Sequence, residues 1–398
     1  MDVPVEGPLA RHTDGYRHCL EQRGYSPRAI GERLELLGGF SGWLQEHRFP
    51  VTESTPARAQ QFLDARRTAV RERVPTLRAL AELFEFLRGE RVLLLERAQP
   101  SRLEDLLDCY GRYLERDRGL AVLTVVRYRR MAKRFLAYRA SSGGGETGID
   151  GLGAAEVHGY LLECRSRLVV ESAKREAADL RSLLHFIYIR GLTSTDLAAA
   201  IPPVAGWRDA RLPATLTAAQ VAAVLEGCDR SRPGGLRDHA ILSLLARLGL
   251  RSGEVAALQL ADIDWRAGEI RVRGKARRDD RLPLTAEVGE AIACYLRGGR
   301  VPSSSTSVIL TKYAPFRPIH PSSITRVVYA ACERVGLAPV GGHRLRHALA
   351  TEMLRQGGDL LEIGQVLRHR DLATTSVYAK LDRAALQTVS RPWPGAQR

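Results

Sequence analysis

The sequence predicts a mainly α-helical protein with one small β-sheet, arranged as two tandem four-helix modules followed by a mixed α+β domain. Three observations lead there. Apolar residues recur at three-and-four spacing through most of residues 11 to 200, which is the helical and not the strand period. Landmarks of the first hundred residues return in the second hundred. One alternating strand pattern with a turn follows a proline-rich break.

In the first module, Arg11 to Arg23, Pro27 to His47, Thr55 to Arg71 and Pro75 to Glu90 each read as a helix, separated by Gly24, Pro50 and Pro75. In the second, Y-G-R-Y-L-E-R-D-R-G from Tyr110 echoes Y-R-H-C-L-E-Q-R-G from Tyr16. Phe135 and Tyr138 stand where Phe40 and Trp43 stand, and F-I-Y-I-R-G from Phe186 echoes F-E-F-L-R-G from Phe84. The echo suggests a duplicated unit, with modules at residues 1–99 and 101–200. Ser141 to Gly145 reads as a flexible loop inside the second. Arg127, Arg130, Lys133 and Arg134 give that module a basic helix face; a solvated surface and a contact with a phosphate backbone are equal readings of it.

Three prolines in Ile201 to Pro213 deny helix continuation and mark a linker, residues 201–213. Thr217 and Gln220 then fit a capping box that opens a third domain, residues 214–390, ahead of a short tail at 391–398. His239 to Leu248 reads as a buried apolar helix closed by Gly249. Arg251 precedes a helix that Ser252 is positioned to cap and whose first turn carries Glu254. The helix dipole opposes an arginine there, so either a salt bridge to Glu254 or an anion to be held accounts for it.

A hairpin comes next: E-I-R-V-R from Glu269, the turn G-K-A-R-R-D-D, and R-L-P-L-T returning. It crowds Arg271, Arg273, Lys275, Arg277, Arg278 and Arg281 together, and Arg273, Arg277 and Arg278 are candidate DNA contacts. The stretch Gly342 to Leu381 is the richest in chemistry. Helical spacing sets His343, Arg346 and His347 on one face, Gly357 and Gly358 close that helix, and His369 and Tyr378 follow. Taken singly, each of these residues is more often structural than functional.

Composition narrows the partner. The 398 residues carry a net charge of +15 and a pI near 10.0, which points to a polyanion and most directly to nucleic acid. Lysine occurs only at 133, 174, 275, 312 and 380, so 55 of the 60 basic residues are arginine. Lysine can be tuned to release a proton near neutral pH and arginine cannot, which makes Lys275 conspicuous. No apolar run reaches the roughly 20 residues of a membrane span, and no signal pattern opens the chain. A cytoplasmic, nucleoid-associated protein is expected. Cys19, Cys109, Cys164, Cys228, Cys294 and Cys332 show no metal-ligand rhythm and read as reduced thiols, with neither disulfides nor zinc indicated.

Arg251 in G-L-R-S-G-E, Lys275 in G-K after a strand, His343 and Arg346 in H-x-L-R-H, His369 in L-x-H-x-x-L and Tyr378 in T-T-x-x-Y resemble, in order and spacing, the tyrosine recombinases of the phage-integrase family. The resemblance covers Leu216 to Leu386, and the second module is similar to that family's SAM-like, core-binding domain. The first module is additional, a duplicated core-binding copy or an arm-type DNA reader. By that resemblance Tyr378 is the nucleophile that forms a 3′-phosphotyrosyl link, and Arg251 and Arg346 grip the non-bridging oxygens. Lys275 protonates the departing 5′ oxygen, His343 assists proton transfer, and His369 hydrogen-bonds the phosphate. One phosphoester replaces another, so no cofactor, ATP or metal is expected.

The partner implied is double-stranded DNA. The protein would be a homotetramer in the synaptic complex and a monomer free in solution, with accessory recombination proteins as further partners and no membrane. Integration, excision or transposition of a mobile element is the first reading; resolution of chromosome dimers, or a catalytically silent DNA-binding regulator of the same fold, are the alternatives. A metal hydrolase built on the His343 and His347 pair lacks a carboxylate ligand in the right place. Three positions depart from the family's pattern: Arg344 where an acid is common, Ala348 where threonine or serine is common, and Arg368 where glycine is usual. Asp382 to Val389 fits a C-terminal helix of the kind that family exchanges between protomers.

Overall fold

The computed structural model describes residues 5–69, 76–93, 101–203, 215–274 and 279–368. Its helices lie close to the periods read from the sequence. In the first module these are α1 (Thr13–Gln22), α2 (Pro27–Glu46), α3 (Pro56–Ala69) and α4 (Leu77–Gly89). Pro27 suits the first helical position because its missing N–H has no partner there anyway, and the Ser26 hydroxyl accepts the Ala29 N–H to cap α2. The helices close on Tyr16, Leu20, Leu37, Phe40, Phe62 and Phe84.

The second module has the same order: α5 (Arg102–Arg112), continued by a π turn over Tyr113–Asp117, then α6 (Val122–Ser141), α7 (Ala154–Arg167) and α8 (Val170–Ile189). Its core holds Tyr110, Leu114, Phe135, Leu180 and Phe186. The echoed pairs Tyr16 and Tyr110, Phe40 and Phe135, and Phe84 and Phe186 are all buried, while Trp43 and Tyr138 are both half-buried. Apolar burial therefore explains the repeat without any shared ligand.

The chain divides into two compact units. Residues 95–210, the second module, form one; the first module and the domain from residue 211 onward form the other. Within that larger unit the loop between Leu310 and Pro318 packs on the first module: Ala314 joins its apolar core, and Arg317 reaches Glu82 and Glu85 of α4, at 3.4 Å and 3.0 Å. Arg23 shares both carboxylates.

The third domain opens on α9 (Ala218–Glu226), where the Thr217 and Gln220 capping box is formed by reciprocal hydrogen bonds of 2.9 Å and 3.2 Å. Next is α10 (Pro233–Ala246). It starts six residues before the apolar run, because Pro233 at its first position sets the helical φ. Ala240 through Ala246 are buried on every side, as expected of a helix at the centre of a core. Then come α11 (Ser252–Ala257) and an antiparallel sheet of β1 (Ile263–Asp264), β2 (Glu269–Arg273) and β3 (Asp279–Pro283) in that order, with Ile270 opposite Leu282 and Val272 opposite Asp280. The hairpin's alternation was legible, and its return strand begins at Asp279, two residues earlier than the R-L-P-L-T pattern; β1, only two residues long, carries no pattern of its own. Among the described residues the domain also holds α12 (Ala286–Cys294), α13 (Pro321–Arg334), α14 (Gly342–Arg355) and α15 (Leu360–Val366).

Candidate active site

Arg346 organises the site from beneath. It lies in α14, one turn from the helix start, and is only 3 % exposed. Its guanidinium donates through Nη1 to the carbonyl oxygen of Gly249 and through Nη2 to that of Leu367. Two segments far apart in sequence are thereby tied to one side chain: the turn before α11 and the end of α15. Gly249 has a φ of 59°, and a Cβ there would lie 2.8 Å from the Leu367 side chain, so any other residue would add backbone strain and push that side chain aside. A buried charge that satisfies two backbone acceptors is stable where an unpaired one would not be.

Arg251 and Arg368 flank these tie points. Arg251, not Ser252, occupies the cap position of α11, with Ser252 the first helical residue. Glu254 folds back in place of a capping side chain. Its carboxylate accepts the Arg251 backbone N–H at 2.8 Å and the Arg251 Nη1 at 2.8 Å, which neutralises a cation that the helix dipole would otherwise oppose. The salt bridge is formed, and the Arg251 side chain stays 39 % exposed beside it. Glu254 Oε2 also accepts Arg368 Nη2 at 2.7 Å.

Arg368 has a φ of 54°, in the left-handed region where glycine is free and other residues pay about 1–2 kcal/mol. That explains why glycine suits the position, and why an arginine there needs a compensating contact. Its ion pair with Glu254 supplies one.

His343 and His347 follow Arg346's face of α14. Partial desolvation, then the charges of Arg346 and Arg251, hold the His343 imidazole below its ordinary value. It is thus neutral at pH 7, able to accept a proton, and its ring remains open to solvent. His347 is more enclosed; desolvation, followed by Arg344, His343 and Arg346, brings it down to about 4. Ala348 is buried in the domain's core, where a methyl fits without a hydroxyl to satisfy.

The hairpin borders this cluster. Asp280 of β3 comes within 4.0 Å of Arg368 Nε. Arg273 pairs at 2.8 Å with the buried carboxylate of Asp262, which Arg271 shares at 2.9 Å, so both arginines are anchored at the base of the hairpin. Lys275, Arg277, Arg278, His369 and Tyr378 lie outside the described residues, as does Asp382 to Val389. Of the six residues singled out for chemistry, the structure therefore brings together Arg251, His343 and Arg346. Sequence reasoning missed two members of the cluster's support, Asp262 and the link from Glu254 to Arg368. The only signal was that Arg368 stands where glycine is usual.

In the second module, Arg127 Nη2 lies 2.9 Å from Asp179, and Arg134 donates both ways to Glu176 at 2.7 Å and 2.9 Å. Arg130 and Lys133, on the same helix, are exposed and form no ion pair among the described residues. Among the described residues there is no cluster of acids, histidines and cysteines suited to a metal, and no helix long and apolar enough to cross a membrane.

Comparison with known proteins places this arrangement in context. The profile of the phage integrase family matches residues 214–384, and that of the phage integrase N-terminal SAM-like domain matches residues 107–191. A putative integrase/recombinase of Sinorhizobium fredii is 40 % identical over 99 % of this chain and 97 % of its own length. The tyrosine recombinase XerD of Xanthomonas axonopodis is 33 % identical over 74 % of this chain and 97 % of its own. Among solved structures, a lambda integrase dimer bound to a COC′ core site superposes with a TM-score of 0.53 at 18 % identity, over 76 % of this chain and 86 % of that one, a likeness of fold.

Proposed function

This chain belongs to the phage integrase family and is a site-specific DNA recombinase, and from that premise we propose that it cuts and rejoins strands through a 3′-phosphotyrosyl link made by Tyr378. The observation that carries the proposal is the clamp of Arg346 on Gly249 and Leu367, which gathers Arg251, neutral His343 and the residue before His369 into one cationic cluster. Such a cluster suits the anionic, pentacoordinate phosphorus of a transesterification. Arg251 and Arg346 bind non-bridging oxygens and offset the charge that develops there. Neutral His343 takes the phenol proton as the Tyr378 oxygen attacks, because a tyrosine of ordinary pKa near 10 is a poor nucleophile at pH 7. Lys275 protonates the leaving 5′ oxygen, and His369 hydrogen-bonds the phosphate. The bond energy stays in the new phosphoester, so rejoining to a second strand's 5′-hydroxyl needs no nucleotide.

The assembly is a tetramer on two duplexes, with residues 101–200 gripping the DNA backbone and 1–99 a duplicated module of the same build. The strand exchange serves a mobile element. Its relationship over nearly the whole chain to a putative integrase/recombinase supports that reading, whereas the XerD relative matches three-quarters of the chain. Nicked duplexes tiled across the DNA that flanks the gene provide the test. The wild-type protein should give a protein–DNA adduct on denaturing gels with one of them, and Tyr378→Phe should bind that duplex without forming an adduct. An undiminished adduct in the variant removes Tyr378 from the role.

A further inference from the structure

We infer that Arg368 is a third phosphate-binding guanidinium of this site, a catalytic residue supplied where the family's usual glycine offers none. The inference rests on the proposed transesterification for its substrate and on four observations for its geometry. First, Arg368 is held in place: its side chain is 8 % exposed, and Nη2 is fixed on Glu254 at 2.7 Å. Second, its position is tied to the cluster, because the carbonyl of the preceding residue, Leu367, is one of the two that Arg346 grips. Third, the charge does not balance. Arg251, Arg346 and Arg368 bring three positive charges together, against the carboxylates of Glu254 and, 4.0 Å from Arg368, Asp280. Fourth, Arg368 Nη1 and Nε are buried and have no hydrogen-bond partner among the described residues; Nε has only Asp280, 4.0 Å away.

A buried guanidinium N–H without an acceptor is unfavourable unless an acceptor arrives, and an anionic oxygen is the acceptor that a planar arginine fork matches. Sharing Glu254 also divides that carboxylate's pull between two cations, so neither is fully neutralised before the DNA binds. With glycine at 368, Glu254 and Arg251 would form a self-satisfied pair. Here Arg368 adds a further positive charge to the pocket, facing Glu254 and Asp280. Its left-handed backbone turns the side chain toward Glu254, and the favourable ion pair holds a conformation that the residue would otherwise avoid.

The test compares Arg368→Gln and Arg368→Gly in the full chain; the glycine variant relaxes the backbone, so a folding defect in one is exposed by the other. Inorganic phosphate should raise the melting temperature of wild type more than that of either variant, since the remaining basic sites are common to all three. With the duplex that gives an adduct, both variants should form it about 10²-fold more slowly, the usual effect of losing one transition-state donor. A methylphosphonate at the scissile position, which lacks one anionic oxygen, should largely erase that difference.

Equal phosphate shifts, or the same loss on diester and methylphosphonate, would overturn the assignment. So would recovery of the Arg368→Gln rate by adding Glu254→Gln, because Arg368 would then act only by neutralising Glu254 and would be a positioning residue. If wild type forms no adduct on any duplex while the phosphate shifts still differ, the phosphotyrosyl reading fails and the anion site stands.

Discussion

At the scale of single residues, Arg346 and His347 show how one helix face divides its work. Arg346 points into the protein, where its guanidinium substitutes for a missing backbone connection between Gly249 and Leu367. His347, one position on, is half-buried beside Arg344, His343 and Arg346. That setting favours its neutral form, so its folded value of about 4 lies below the ordinary imidazole value near 6.5. Between those values the unfolded chain binds the extra proton. Stability contributed by the neutral ring is therefore complete above about pH 6.5 and is lost as the pH falls toward 4. His343 adds to the effect with the same sign. His347→Gln should lose less melting temperature than wild type between pH 7.5 and pH 5; parallel slopes for the two proteins would show that His347 does not titrate in this window.

At the scale of elements, the loop between Leu310 and Pro318 is where the first module meets the third domain. Gly24 ends α1 at a φ of 77°, and a Cβ placed on it would lie 2.8 Å from the Phe316 ring. Gly24→Ala therefore combines backbone strain of about 1 kcal/mol with a steric clash. Adding Phe316→Ala should remove the clash and leave the strain, so the two substitutions together cost less than the sum of their separate effects in denaturant unfolding. Strict additivity would mean that the loop does not rest on Gly24. The ion pairs around Glu82 contribute less to this contact than their number suggests, because Arg317 is half-exposed and such pairs are worth about 0–1 kcal/mol each.

At the scale of the whole molecule, a net charge of +15 sets the affinity for a polyanion, but the structure distinguishes charges already spent from charges available. Arg127 and Arg134 face the carboxylates of Asp179 and Glu176, whereas Arg130 and Lys133 have no such partner among the described residues. Desolvation raises Asp179 to about 6 despite Arg127, so the pairing there is incomplete. Replacing Arg130 and Lys133 together by glutamine should reduce the slope of log affinity against log salt by about 2, one unit per phosphate contact. Replacing Arg127 and Arg134 should reduce it less. The opposite ranking would show that DNA binding displaces the intramolecular carboxylates.

Much of this protein was determined by its sequence alone. Helix positions follow from apolar spacing, because burial of one face needs only the 3.6-residue period. The echoed landmarks Tyr16 and Tyr110, and Phe84 and Phe186, all lie buried in the cores of their modules. The residues at 251, 343 and 346 were recognisable because their order and spacing resemble the motifs of the phage-integrase family. Other features depend on partners distant in the chain and leave no local pattern. The choice of Arg251 over Ser252 as the cap follows from Glu254 folding back, and the pairing of Arg273 with Asp262 from a turn that brings β2 beside a buried carboxylate. The left-handed Arg368 requires Glu254 from 114 residues upstream to offset its strain. Periodicity and residue chemistry are written along the chain; which charges neutralise one another is decided only when the fold brings them together.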